Sequence, residues 1–178
     1  MWKKAGSRAD GPANRTLAAM RAKTSEGALA SGVTFSRGLR LHADPALELT
    51  GQYRSPPGQL LDLEARTGPD PGDWVALHLA LRLDDLSAMG VVGFATRMAA
   101  PETLVVRACV RSGTDTGFTD CFFDKHLLVH AHETSHVDAL HVGKRADLPL
   151  RAPWRDVILF LPTRAFQLSL IDMRVFVV

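Results

Sequence analysis

Five histidines fall within sixteen residues of this 178-residue chain: His126, His130, His132, His136 and His141 in HLLVHAHETSHVDALH. Neutral imidazole is the commonest protein ligand for transition metals. His130 and His132 are two apart and share one face of a strand. A turn at Glu133–Ser135 would set His136 across from His132. Two or three imidazoles converging there could hold zinc or another transition metal and support a metal-dependent enzyme. Against this, no acidic or thiol ligand is fixed by spacing. His132-Glu133 also lacks the second histidine at the helical spacing of a metalloprotease. Solvent-facing or hydrogen-bonded histidines on a polar sheet face are the commoner case.

Other chemistry is thinner. Cys109 and Cys121 lie symmetrically about Asp115, so a turn at Ser112–Gly117 would bring them face to face across an antiparallel pair. A disulfide is open to them, but reduced thiols are the default, and no base is placed beside either. No G-x-S-x-G elbow, phosphate loop or dinucleotide fingerprint occurs. The Asp84-Asp85 pair sits where a loop should begin. The chain is therefore expected not to be an enzyme.

The elements that would position such residues are strands. Val75, Leu77, Leu79, Leu81 and Leu83 alternate with Trp74, Ala76, His78, Ala80 and Arg82, and Thr103–Arg111 alternates again with Leu104, Val106, Ala108 and Val110 inward. Further strands are read at Leu47–Tyr53, Gln59–Arg66, Val91–Met98, Phe118–His132 and His136–Val142. Turn signals separate them, including SPPG at 55–58 and TGPDPGD at 67–73. Val157–Leu161 ends at Pro162, turns at Thr163–Arg164 and returns as Phe166–Val178. Nine or ten strands without helical periodicity predict an all-β, two-sheet antiparallel sandwich over residues 38–178. Residues 1–37 are expected to form a leader, flexible or partly helical at Asn14–Lys23 with Asn14 as N-cap.

Composition fits a globular domain, with 46% apolar and 22% charged residues. The net charge of +2 is uneven: the first 36 residues hold +4 and the rest −2. The body is therefore not expected to bind nucleic acid. No apolar run is long enough for a membrane span, and the basic start lacks the apolar core of a signal peptide.

One surface remains. Opposite the inferred core lie Trp74, His78 and Arg82 on one strand, Arg107 and Arg111 on a second, and Phe123 and Lys125 on a third. Aromatic planes cover the apolar faces of sugar rings, while Arg and His bond hydroxyls or acidic groups. This face would suit an anionic or neutral glycan, or packing against a partner subunit.

The closing half resembles the jelly-roll domains of the galactose-binding-like and carbohydrate-binding-module group. The matching features are Trp154 shortly before a strand, the apolar strand VILFLP, a turn, and a closing strand running LSLIDMRV. The resemblance covers residues 74–178. It implies a jelly roll that binds glycans without cleaving them and a structural calcium, with Asp172 as a ligand. The function expected is a non-enzymatic carbohydrate-binding module that touches polysaccharide. A narrower form is a receptor-binding subunit of an oligomeric phage-like particle. The protein would then be made in the cytoplasm, docked on the assembly by its leader and released with the particle. The competing expectations are a structural subunit without glycan binding and, third, the metal-dependent jelly-roll enzyme.

Overall fold

The computed structural model describes residues 11–178. Two antiparallel sheets pack face to face, with one short helix closing an end of the sandwich. The helix α1 spans Gly11–Arg21. Thirteen strands follow: β1 Ser25–Ala30, β2 Thr34–Ser36, β3 Leu39–Ala43, β4 Thr50–Ser55, β5 Leu61–Arg66, β6 Val75–Leu81 and β7 Val91–Ala99, then β8 Leu104–Thr114, β9 Gly117–Phe122, β10 Leu127–Val129, β11 Thr134–His141, β12 Arg155–Leu161 and β13 Phe166–Val177.

The first sheet runs β1-β4-β5-β13-β7-β11. The second runs β10-β8-β12-β6-β3-β2, with β9 also paired to β8. Alternation builds the core between them. Val75, Leu77, Leu79 and Leu81 of β6 and Val157, Leu159 and Leu161 of β12 meet Leu61, Leu63, Leu168, Leu170 and Val175 from the opposite sheet. Pro162 ends β12 and the chain turns into β13, as its sequence predicts.

The expected boundary at residue 38 does not exist as a break. β2 pairs with β3 across it, and β1 pairs with β4 along its whole length, Ser25↔Ser55 to Ala30↔Thr50. Residues 11–37 are thus built into the sandwich, and residues 1–10 lie outside the described part. Three helical turns are marginal alone. Here Ala13, Leu17 and Met20, at helical spacing, are buried between the sheets. Full burial of Leu17 alone contributes about 2–3 kcal/mol.

Asn14 lies inside α1 and does not cap it. β13 pairs with β5 only as far as Leu170. Beyond that point its edge is open, and the Asn14 amide occupies the gap. Its Nδ2 donates to the Val175 carbonyl at 2.8 Å, and its Oδ1 accepts from the Val175 N–H at 2.9 Å. Arg21, in the last turn, donates to Asp172.

The β8–β9 hairpin corrects another expectation. Thr114 pairs with Gly117, so the turn is the two residues Asp115–Thr116, and Cys109 faces Phe122 while Val110 faces Cys121. A slip of one residue exchanges the two faces of a strand. Cys121 therefore points into the main core and Cys109 to the other face of the sheet, and both thiols are free and buried. Burial pushes the Cys121 thiol up to about 12 and raises Cys109 as well, with the Asp120 carboxylate adding to the rise.

Among the described residues no helix is long and apolar enough to cross a membrane.

Candidate functional site

The outward face of the second sheet is set by strand register. Its first row reads His42, Ala76, Phe160, Arg107 across β3, β6, β12 and β8. The next reads Arg40, His78, Ile158, Cys109, Phe122 and reaches β9. The third reads Ala80, Asp156, Arg111, Asp120. Trp154, just ahead of β12, with Gly113 and Phe118, forms the last.

Small and branched residues make the floor. Ala76, Ile158 and Cys109 form an apolar cluster separate from the core, with Phe122 and Phe160 packed against it. Those two rings stack at 5.7 Å between centroids. The Arg107 guanidinium lies 4.3 Å from the Phe122 ring centre, and that of Arg111 lies 3.8 Å from Phe118. Arg111 is itself held by Asp120 through two bonds of 2.6 and 2.7 Å. This bidentate grip fixes the plane of the guanidinium. Gly113 makes room for Trp154: a Cβ there would lie 2.4 Å from the indole nitrogen. The indole remains 42% exposed and Phe118 54%.

A buried polar group crosses the middle of the face. Asp156, 3% exposed, accepts from Arg40 Nη2 at 2.8 Å and lies 3.0 Å from His78 Nδ1. A carboxylate only accepts, so Nδ1 carries the proton. His42 packs edge-on to His78 at 5.5 Å. Burial lowers the His42 pKa, and the neighbouring His78 and Arg40 lower it further while Asp156 opposes them. A His–Asp pair resembles a general-base dyad. Cys109 on the same row, however, stands beyond Ile158, and burial holds its thiol protonated. The pair is better placed to fix Arg40 and to offer polar atoms at the rim.

Of the seven glycan-face candidates, the structure brings His78, Arg107 and Arg111 together. Trp74 is exposed one residue ahead of β6. Arg82 leaves β6 just past its end and lines a groove against α1. Phe123 lies in the core, edge-on to Phe94 at 4.6 Å, because the hairpin register turns Phe122 outward instead. Lys125 is exposed after β9, its N–H held by Asp138 at 3.0 Å. Sequence reading missed Arg40, His42, Phe118, Asp120, Phe122, Asp156 and Phe160 on this face. The two-residue turn Asp115–Thr116 was the signal that would have set the register and exposed Phe118 and Phe122.

The histidines read as metal candidates do not gather. His130 Nδ1 bonds Thr103 Oγ1 at 3.2 Å, and His132 is exposed in the turn before β11. His136 is half-buried beside Phe94, and its Nε2 has no hydrogen-bond partner. Burial lowers its pKa. Among the described residues no three His, Cys, Asp or Glu side chains form a metal-holding group. Asp172, the calcium candidate, is occupied by Arg21, by Arg174 at 3.7 Å and by the Met173 N–H at 2.8 Å.

No protein-family model and no curated protein sequence matches the chain. Solved structures to which it is similar include the CBM22-1 xylan-binding domain of Xyn10C from Paenibacillus barcinonensis. That match has 11% identity, covers 86% of this chain and 93% of the other, and has a TM-score of 0.49. Another is the family 11 carbohydrate-binding module of the cellulosomal cellulase Lic26A-Cel5E of Clostridium thermocellum, at 8% identity, 86% of each chain and 0.43. A third is the enzymatically active domain of tailspike protein 4 of bacteriophage CBA120, at 9% identity, 88% of this chain, 19% of that chain and 0.42. At these identities the likeness is one of fold.

Proposed function

We propose that the protein is a non-enzymatic carbohydrate-binding module that takes a glycan on the outward face of its second sheet. The observation that carries this reading is the exposed pair Trp154 and Phe118, which flanks Gly113 beside the paired Arg111 and Asp120. Aromatic planes of this kind receive the C–H face of a sugar ring, and fixed guanidinium and carboxylate groups bond its hydroxyls. The narrower role on a phage-like particle assigns docking to residues 1–37. Residues 11–37 are consumed by the sandwich, so the proposal is limited to glycan binding.

The test is a glycan array probed with the full chain and with Trp154→Ala and Phe118→Ala. Truncating a central aromatic anchor costs about 2 kcal/mol, roughly thirtyfold in affinity. Binding lost in both variants, with unchanged circular dichroism, supports the reading. An array that stays blank favours the structural subunit instead.

A further inference from the structure

A groove of about 480 Å³ runs between α1 and the second sheet, and three arginines from three separate elements line it. Arg15 comes from α1, Arg37 from the turn joining β2 and β3, and Arg82 from the residue after β6. Each position is fixed by backbone. Thr16 Oγ1 donates to the Arg37 carbonyl at 3.2 Å, and Gly38, at φ +94°, turns the chain where a side chain would be strained. The Gly38 carbonyl accepts from Ala80 N–H at 2.7 Å. All three arginines are exposed. Among the described residues none of them has an ion-pair partner, and no carboxylate lines the groove. Like charges gathered from three elements repel one another, and an anion in the groove would relieve that repulsion.

The groove is continuous with the aromatic face. Ala80 lines it and also begins the row Ala80, Asp156, Arg111, Asp120. Arg82 and Trp154 are the next residues beyond the last pair of their strands, Leu81↔Arg155. From β6 to β9 the row crosses three strand spacings, about 14 Å, room for roughly three sugar rings.

We infer that the Arg15–Arg37–Arg82 groove receives the acidic group, carboxylate or sulfate, of an anionic polysaccharide whose neighbouring rings lie on Trp154 and Phe118. This rests on the glycan reading above and adds the charge class of the ligand. A nucleic acid would offer phosphates to the same arginines, and the glycan reading of the adjoining face is what selects the polysaccharide here; an oligonucleotide arm of the test separates the two.

The test is affinity electrophoresis of the full chain in gels containing polygalacturonate, alginate or heparin, against gels with a neutral mixed-linkage glucan. A gel shift with a thymidine oligonucleotide runs alongside. At least one acidic polymer should retard the protein, a uronate polymer pointing to carboxylate and heparin to sulfate. Arg37→Gln and Arg82→Gln should each weaken that retardation about five- to tenfold. Arg54→Gln, an exposed arginine of the first sheet, should leave it unchanged. Retardation by the neutral glucan alone overturns this inference and leaves the glycan reading standing. Equal losses in Arg54→Gln, or tighter binding of the oligonucleotide, overturn it as well. No retardation by any glycan overturns both.

Discussion

Among the described residues Arg155 is the largest fully buried side chain, and replacing it should be severely damaging. Its Nε donates to the Leu83 carbonyl at 2.7 Å, Nη1 to Ser112 Oγ at 2.6 Å and Nη2 to the Pro149 carbonyl at 2.7 Å. Those bonds tie the end of β6, strand β8 and the loop before β12 to one guanidinium. Arg155→Ala leaves the three acceptors without their donor, and each unsatisfied buried group costs about 1–3 kcal/mol. A cavity adds to this. Against it stands relief of the desolvation that a buried cation carries, several kcal/mol. The net loss should be about 3–5 kcal/mol, a third or more of a typical domain's stability. For a domain of this size that lowers Tm by roughly 10 °C. Arg155→Met restores the packing and not the bonds, so it should recover only part of the loss. Urea unfolding followed by circular dichroism measures both. A loss below about 1 kcal/mol for Arg155→Ala would refute the reasoning, since it would show the three acceptors to be satisfied without the arginine.

Further outcomes follow from the same geometry. His136 Nε2 and Thr96 Oγ1 are buried, lack partners and belong to cross-strand neighbours, so His136→Leu with Thr96→Val should stabilise the fold by about 1–2 kcal/mol in urea titration. His42 and His136 have folded pKa values below 6.5, so their contribution is whole above pH 6.5 and lost as pH falls from there through the folded values. The urea midpoint should therefore drop on that interval, and a His42→Asn, His136→Asn double variant should show a shallower drop; an unchanged slope would contradict the assignment. Gly113→Val should expel the Trp154 indole, read as a fluorescence change and a loss of glycan binding without unfolding. Cys109 and Cys121 should resist a thiol reagent until the protein is denatured, because burial raises both.

Legibility in the sequence followed exposure. β6 and β8 carry an apolar residue at every second position because one side meets the core, and that period is visible without a structure. β12 reads as a continuous apolar run because the central strand is covered on both sides, so Phe160 and Ile158 were not recognisable as outward-facing. β1, Ser-Glu-Gly-Ala-Leu-Ala, has little strand propensity; it exists because β4 offers its backbone a partner. α1 likewise depends on the open edge of β13 that Asn14 fills. On the face itself, His78, Arg107 and Arg111 were legible from alternation. Phe123 stood in for Phe122 because centring the hairpin on Asp115, and not between Asp115 and Thr116, shifts the register by one residue.

The central claim is that the outward face of the second sheet binds sugar. The most direct measurement is titration calorimetry of an array-positive glycan into the wild type, into Trp154→Ala/Phe118→Ala, and into Phe176→Ala, whose ring covers Gly93 on the first sheet. The double variant should lose detectable binding while the Phe176 variant keeps the wild-type affinity. Binding unaffected by the double change, or abolished by Phe176→Ala in a folded protein, would contradict it.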